Sequence, residues 1–127
     1  MSQQHFCATH QWAQRIDEKR VKVGISQHAE AALGDIVYVE LPEAGKVVAA
    51  GDVIGGIESV KTASEIQAPV SGTLVAGNQL LEAGPEALND APLTTWVYEL
   101  ECDPAVLDAE WQQLMDAETY NQFLETL

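Results

Sequence analysis

The sequence predicts a mainly β protein with one short internal helix and a helical C-terminal end. Between residues 6 and 101, short β-branched and apolar runs alternate with glycine, proline and aspartate residues. The segment Gly34–Val37 has an echo in Gly72–Val75, which is typical of a fold with two similar halves. After Asp103, apolar residues recur at helical spacing.

Length and composition suit a single domain. The chain has 127 residues, of which 46% are hydrophobic, enough for one core. We expect one domain over residues 1–127, with a β portion over about 6–101 and C-terminal helices over about 104–125. No apolar run reaches the length of a membrane span, and the first residues lack the features of a signal peptide. We therefore expect a cytoplasmic protein that does not bind a membrane. We also expect it to be a monomer.

The charge of the chain narrows the class of partner. Its formal net charge is −14, and such a surface repels phosphate backbones. Nucleic acid is therefore not an expected partner, whereas proteins with basic docking surfaces are favoured. The early basic residues Arg15, Lys19, Arg20 and Lys22 are mixed with acidic ones. We interpret them as a solvated hairpin turn rather than a binding patch.

Residues 1–5 are expected to form a loose tail before the first strands. Alternating apolar residues and the turn residues between them predict these strands: Phe6–Ala8 continuing into Gln11–Ile16, Val21–Ile25, Asp35–Leu41, Val47–Ala50, two arms that flank Lys61, and Thr95–Leu100. Ser26 predicts the start of a helix over Gln27–Leu33, because its side chain can accept an orphan amide hydrogen. Gly34 fits the position that ends this helix.

The last quarter of the chain is predicted to be loop and then helix. Residues 78–92 are expected to be loop and turn. Asp103 and Pro104 are a helix start, an acidic cap followed by proline at the first helical position. We expect one helix over Ala105–Met115 and a last one over Glu118–Leu124, each with its apolar side on the β portion.

Lys61 is the residue around which the central part of the chain is organised. From Val47 to Leu127 it is the one basic residue among fourteen acidic ones. It lies between two β-type runs, which Gly55–Gly56 and Ala68–Pro69 bound. This pattern predicts a hairpin with Lys61 at or near its tip and indicates a chemical function for the amine. An ordinary surface lysine in a hairpin is the alternative.

The residues around this lysine resemble a known family. Glu58-Ser59-Val60-Lys61, with Ser64-Glu65 and then Ala68–Gly72, resembles the lipoylation site of glycine cleavage system H proteins. The resemblance covers almost the whole chain and includes segments around Trp12, Val23, Gly34 and Pro42, and Asn78, Pro85, Asn89 and Pro92. It implies a barrel-sandwich hybrid, a flattened barrel of the lipoyl and biotinyl carriers. Biotin sites usually have Met beside the lysine, where this chain has Val60 and Thr62, so lipoate is favoured.

The resemblance also implies a cofactor and its surroundings. Lipoic acid would be attached to Lys61 in amide linkage. The hairpin recognised by the attaching enzyme, or the cleft in which the arm rests, would include Glu58, Ser59, Val60, Ser64 and Glu65. His10 and Gln11 are expected in the arm cleft. We expect no catalytic residue, since the partners supply the catalysis, and no metal site, since the histidines lack paired ligand spacing.

The implied function is that of a carrier and not of an enzyme. It would shuttle an aminomethyl group and reducing equivalents between glycine decarboxylase, aminomethyltransferase and dihydrolipoamide dehydrogenase. A lipoate ligase or lipoyl transferase would attach the arm. Two further alternatives, an unmodified interaction module and a biotin carrier, differ from this in the mass added to Lys61.

Three departures from the family pattern favour a rival function. Gln11 stands where an acidic residue follows the early histidine, and it keeps a hydrogen-bond acceptor while losing the ionic attraction for a cationic cargo. The glycine before Trp96 is missing. Cys7 and Cys102 are unexpected thiols, which we expect to be reduced, with a Cys7–Cys102 disulfide as the alternative. The rival is an H-like lipoate-binding protein that serves sulfur oxidation with a heterodisulfide-reductase-like complex.

Overall fold

The structure, a computed structural model, describes residues 3–127. Within that range it contains these strands and helices: β1 (Gln4–Phe6), β2 (Gln11–Arg15), β3 (Arg20–Ile25), α1 (Gln27–Leu33), β4 (Ile36–Glu40), β5 (Val47–Val48), β6 (Val53–Ser59), β7 (Ala63–Gln67), β8 (Gly72–Gly77), α2 (Leu80–Ala83), α3 (Ala87–Asp90), β9 (Tyr98–Glu101), α4 (Pro104–Trp111) and α5 (Ala117–Leu124).

The strands form two antiparallel sheets, neither of which closes into a complete barrel. The larger sheet has the order β1-β2-β3-β9-β8-β5, and the smaller has the order β4-β6-β7. Strand β9 lies in the middle of the larger sheet, where it pairs with β3 on one side and β8 on the other. The two echoing segments of the sequence fall in β4 and β8, one in each sheet.

The main hydrophobic core contains residues from both sheets. Its fully buried members include Val21, Val23 and Leu100 of the larger sheet and Ile57 and Ile66 of the smaller one. Burying one such side chain contributes about 1.5–3 kcal/mol. Strand β6 buries Ile54 and Ile57 and strand β7 buries Ile66, whereas Glu58, Ser64 and Glu65 of the same two strands are exposed. The mainly β prediction, with a helix near residue 30 and helices at the C-terminal end, is confirmed.

The C-terminal helices pack on the outside of the larger sheet. Phe6 and Tyr120 stack with ring centroids 4.5 Å apart, and with Trp12 they form a second buried cluster. Helix α4 is tied to the barrel by Glu110, whose carboxylate accepts from the backbone amide and the hydroxyl of Ser71 at 2.7 Å each. No helix within residues 3–127 is long and apolar enough to cross a membrane.

Several predicted boundaries are wrong at the N-terminal end. Strand β1 begins at Gln4, inside the expected tail, because residues 4–6 pair with β2 and Phe6 also pairs with Met115. Met1 and Ser2 of that expected tail lie outside the described residues. The strand expected over Val47–Ala50 contains only two paired residues.

The expected loop over residues 78–92 and the expected first C-terminal helix also differ from the structure. The loop contains the one-turn helices α2 and α3, which bury Leu81 and Leu88; a single turn is too short for an apolar period to be visible in the sequence. Helix α4 ends at Trp111 because the backbone of Met115 bonds to Phe6 in both directions, at 2.7 and 2.8 Å. The last strand begins at Tyr98, three residues later than expected.

Removing the cap of α4 tests the role of Asp103 in this packing. Its carboxylate accepts from the amides of Ala105 and Val106 at 2.9 and 3.3 Å. We expect Asp103→Ala to lower the free energy of unfolding by about 1 kcal/mol, measured by chemical denaturation. Asp103→Asn is the control, since asparagine caps a helix equally well. Equal stability of the two variants would contradict the assigned cap.

Candidate functional site

Lys61 lies in the tight connection between β6 and β7, and its side chain is exposed. The turn is shaped by Ser59, whose hydroxyl accepts from the backbone amides of Lys61 and Thr62 at 3.2 and 3.1 Å. The amide of Ser59 also donates to the carbonyl of Thr62 at 2.8 Å. Side-chain chemistry therefore sets this turn without an Asn-Gly or Asp-Gly sequence. The predicted hairpin with Lys61 at its tip is present.

The tip rests on the junction between α1 and β4. The amide of Val60 donates to the carbonyl of Asp35 at 3.0 Å. Gly34 has φ 75° and ψ −149°, a conformation that is essentially restricted to glycine. A Cβ atom at Gly34 would lie 2.7 Å from Cε of Lys61, so the aliphatic part of the lysine passes directly over this glycine. The junction thus forms a floor beneath the lysine.

Asn89 of α3 fixes this floor. Its Oδ1 accepts from the amide of Ile36 at 2.9 Å, and its Nδ2 donates to the carbonyl of Gly34 at 2.7 Å and to the carboxylate of Glu30 at 2.9 Å. These three bonds connect α1, the junction and β4 to one side chain. Losing them would leave partly buried groups unpaired, at a cost of about 1–3 kcal/mol for each group.

A cleft of about 290 Å³ opens beside the lysine, between α1, the start of β2 and the hairpin. Thr62 and Ala63, the residues that follow Lys61, lie on its wall, and the buried Ile57 and Ile66 also contribute to its lining. The remaining lining residues are Thr9, His10, Gln11, Ile25, His28, Ala29, Ala32, Leu33, Ser64 and Glu65. The cleft therefore combines an apolar base with several polar groups, and it is large enough for a small organic arm.

Two histidines form part of the polar wall. The rings of His10 and His28 have centroids 4.5 Å apart. Nδ1 of His10 is 2.6 Å from the hydroxyl of Tyr120, which donates to the hydroxyl of Ser26 at 2.8 Å. Burial lowers the pKa of His10 below its usual value of 6.5, and the nearby His28 lowers it further. The backbone of His10 has φ 73°, an uncommon value for a residue other than glycine.

Gln11 is buried at the base of the cleft with 4% of its surface exposed. Its Oε1 accepts from the hydroxyl of Thr9 at 2.5 Å and from the thiol of Cys7 at 3.3 Å. An amide oxygen has two lone pairs, so these two donors occupy its capacity. In the structure, protein groups therefore already use the acceptor that glutamine keeps at this position.

The structure brings together some of the predicted site residues and separates others. His10, Gln11, Ser64 and Glu65 line the cleft. Glu58, Ser59 and Val60 are not among its lining residues. Ser59 shapes the turn, Val60 is 67% exposed at the tip, and Glu58 is exposed on the strand, opposite Tyr38 and Ala63. Their positions suit recognition of the hairpin better than contact with a resting arm.

The two cysteines do not form a disulfide. Cys7 is half-buried beside Gln11, whereas Cys102 is buried near Gly72 and Glu110. Burial raises the pKa of the Cys102 thiol to about 11, with a contribution from the Glu110 carboxylate. Cys102 is therefore protonated at neutral pH and does not line the cleft.

Sequence reasoning missed two residues of this site. His28 was treated only as a helix residue, and its place in the cleft follows from the packing of α1 beside β2. Asn89 was noted as part of the family pattern without a role, because its partners are 53 to 59 residues away in the sequence. For His28, the available signal was a titratable residue two positions after the predicted cap Ser26. That signal does not tell which side of the helix faces the cleft.

Comparisons with known proteins agree with one another. The sequence model of the family described as "Glycine cleavage H-protein" matches residues 4–127. The chain is 48% identical over 123 residues to a probable glycine cleavage system H protein of Thermococcus gammatolerans, covering 97% of this chain and 90% of that one. It is 49% identical over 115 residues to glycine cleavage system H protein 2 of Pseudomonas syringae pv. tomato, covering 91% and 88%.

A solved structure gives the same result for the fold. The crystal structure of a glycine cleavage system H protein from Mycobacterium marinum superposes with a TM-score of 0.83, at 30% identity, and covers 98% of each chain. This agreement confirms the expected family and the barrel-sandwich character of the two open sheets.

A pair of glycine substitutions tests whether Gly34 provides room for Lys61. Gly34 and Gly45 both have positive φ, at 75° and 93°, but no atom lies within 4 Å of a Cβ at Gly45. We expect both alanine variants to lose about 1 kcal/mol or more of stability from the backbone conformation. Only Gly34→Ala should displace the NMR signals of the Lys61 Cε methylene. If Gly45→Ala moves them equally, or neither variant does, the proposed contact is wrong.

Proposed function

The chain belongs to the glycine cleavage H-protein family, and from this membership we propose that it is a lipoyl carrier with Lys61 as the attachment site. Its role would be to shuttle an aminomethyl group and reducing equivalents in the glycine cleavage system. The observation that carries this proposal is the exposed amine of Lys61 at the tip of a firmly anchored hairpin, beside a cleft of about 290 Å³. We propose that residues 1–127 act as one carrier domain.

The residues around Lys61 fit an amide-linked arm. The lysine is exposed and can be reached by an attaching enzyme, whereas its turn is held by Ser59 and by the bond from Val60 to Asp35. When bound, lipoate supplies a disulfide that can accept a one-carbon fragment and two electrons. Amide formation removes the charge of the lysine, so the arm can enter the partly apolar cleft beside Thr62 and Ala63.

Charge and exposed apolar residues support docking of partner proteins at the hairpin. Val37, Tyr38 and Val60 are 55%, 53% and 67% exposed, and Asp35 and Glu58 are exposed near them. Strand pairing of Tyr38 with Glu58 and the bond from Val60 to Asp35 make this one continuous surface. It suits enzymes with a basic rim, here a lipoate ligase or lipoyl transferase, glycine decarboxylase, aminomethyltransferase and dihydrolipoamide dehydrogenase.

The rival role in sulfur oxidation, with a heterodisulfide-reductase-like complex, has less support than the sequence suggested. Cys102, one of its two motivating thiols, is buried away from the cleft. Gln11 and Cys7 remain in its favour, because they are bonded to each other where an acidic residue was expected. Glu65 still provides a carboxylate on the cleft wall, which supports a cationic cargo.

Intact-mass measurement tests the attachment site. After incubation with lipoate, ATP and a lipoate ligase, we expect the wild-type protein to gain one lipoyl increment and Lys61→Arg to gain none. Arginine keeps the charge and the long stem but does not form the amide under these conditions. Lys46→Arg, on an exposed turn elsewhere, is the control and should be modified like the wild type. Modification of the Lys61→Arg variant or an unmodified wild type would contradict the proposal.

Loading by glycine decarboxylase distinguishes the two carrier roles. We expect the lipoylated protein to gain an aminomethyl group when it is incubated with glycine and that enzyme, followed by intact mass and by release of carbon dioxide. The exposed hairpin and the carboxylate of Glu65 are the physical reasons for this expectation. A lipoylated Pseudomonas syringae relative is a suitable comparison protein. Loading of that protein but not of this chain would favour the sulfur-oxidation role.

A further inference from the structure

Gln11 lies on the polar wall of the cleft but has no free hydrogen-bond acceptor. A cationic cargo on the Lys61 arm would need such an acceptor in the cleft. The oxygen of Gln11 is already bonded to Thr9 and Cys7. Its amide nitrogen can only donate, and an ammonium group also only donates. A primary ammonium at the end of an arm therefore finds no partner in Gln11. Its hydrogen bonds have to go to other groups of the cleft, and the lining offers the carboxylate of Glu65 on the hairpin side and the rings of His10 and His28 on the opposite side.

His10 has a free acceptor, as the bonds around it indicate. Tyr120 donates its hydroxyl proton to Ser26, so it accepts from Nδ1 of His10, 2.6 Å away. Neutral His10 is therefore protonated at Nδ1 and has a bare lone pair at Nε2. The Ser26 hydroxyl is held in turn by the amide of Ala29 at 3.1 Å. The tautomer of His10 is thus fixed by the cap of α1 and by α5.

His28 is a second acceptor beside it. Its ring centroid is 4.5 Å from that of His10, and both residues line the cleft. No hydrogen bond within residues 3–127 uses the ring of His28. The side chain is exposed, so it can turn either nitrogen towards the cleft. The two imidazole rings, in their neutral form, thus provide acceptors on the same cleft wall as Gln11, which has none.

We propose that the His10–His28 pair, and not Gln11, accepts the hydrogen bonds of a primary ammonium cargo on the Lys61 arm, so that retention of the cargo in the cleft depends on pH. The inference rests on the proposed lipoyl-carrier function and assigns the residues that recognise the cargo. In their neutral form both imidazoles accept hydrogen bonds from a cation. Once protonated, the same rings repel it.

The other charged and titratable groups around the pair set the direction of this effect. Tyr120 faces His10 from α5, Cys7 lies behind Gln11, Glu65 lies on the hairpin wall of the cleft, and Lys61 lies over Gly34 at the end of α1. Burial and His28 lower the pKa of His10, so its ring is neutral at and above neutral pH. As the pH falls, the ring gains a proton and the cargo is released from the cleft. By reciprocity, the cargo should make protonation of the pair more difficult.

The cargo can be installed without any partner enzyme. A phosphine reductant first converts the lipoyl disulfide into a dithiol. One thiol, formaldehyde and an ammonium ion then give an S-aminomethyl group, in its ammonium form, and one water. A carbon–sulfur bond and a carbon–nitrogen bond form, the carbon–oxygen bonds of formaldehyde break, and its oxygen leaves as water with one proton from the thiol and one from ammonium, so this step involves no net oxidation. Intact mass verifies lipoylation and loading before each measurement. The test is therefore independent of the glycine decarboxylase assay.

The first measurement follows the three histidines by NMR titration of their ring protons, in the unmodified, lipoylated and loaded proteins. We expect loading to lower the titration midpoints of His10 and His28 by about 0.5–1 unit, as a nearby cation does. His5 is the internal control, because its ring stacks on Trp111 with centroids 4.5 Å apart, outside the cleft. Its midpoint should not move.

The second measurement compares the half-life of the loaded form in three proteins. His28→Gln removes one titrating ring from the cleft, and His5→Gln is the matched control. Between about pH 8 and pH 6, we expect the half-life of wild type and His5→Gln to fall about 3- to 10-fold more than that of His28→Gln. The loaded form decays by hydrolysis of its S-aminomethyl group. The intrinsic pH dependence of this hydrolysis is the same in all three proteins, so it cancels when their half-lives are compared.

The outcomes separate this inference from the proposed function. Unmoved midpoints of His10 and His28 in a protein that is fully loaded would overturn the inference and leave the carrier role intact. So would an equal shift of all three histidines, or a pH dependence of His28→Gln that matches that of the wild type. Absence of a lipoyl increment on Lys61 would overturn the carrier role and the inference together.

Discussion

The arrangement of the site depends on one backbone junction, the turn from α1 into β4 at Gly34. Its conformation is essentially restricted to glycine, and the side chain of Asn89 holds it from below. Because the next residue, Asp35, binds the amide of Val60, the junction also fixes the tip of the β6–β7 hairpin. A reactive amine on a flexible loop would have no defined relation to a nearby cleft, whereas Lys61 has one.

Helix α1 connects this floor to the cleft. Its C-terminal end leads into Gly34, and its exposed face contributes His28. At its N-terminal end, Ser26 caps the helix and also accepts from Tyr120, which bonds to His10. A seven-residue helix is too short to be stable alone, so these contacts hold it in place. The same contacts set the tautomer and orientation of the cleft residues.

The sequence was sufficient for the scaffold and for the lysine at the hairpin tip, and insufficient for the surroundings of that lysine. Alternation and turn residues located β3, β4 and the hairpin, and Ser26 and Asp103 located two helix starts, because these signals are local. His28 and Asn89 were missed because their roles depend on partners far away in the chain. The partners of the Gln11 side chain were not predicted either. Which donors occupy an amide oxygen is decided by tertiary contacts, here those of Thr9 and Cys7.

Tethering explains why a cleft with modest polar contacts is adequate for a carrier. The proposed arm on Lys61, beside Thr62, would reach the cleft within the same molecule, so its effective concentration there would be high, on the order of millimolar for short flexible links. Contacts that would be too weak for a free ligand then suffice to shelter a cargo. A tightly binding cleft would have the opposite effect, because the proposed arm would have to leave it for each partner enzyme. The two imidazoles of the cleft and an exposed carboxylate at Glu65 would suit this proposed reversible retention better than a buried ion pair, whose rupture is costly.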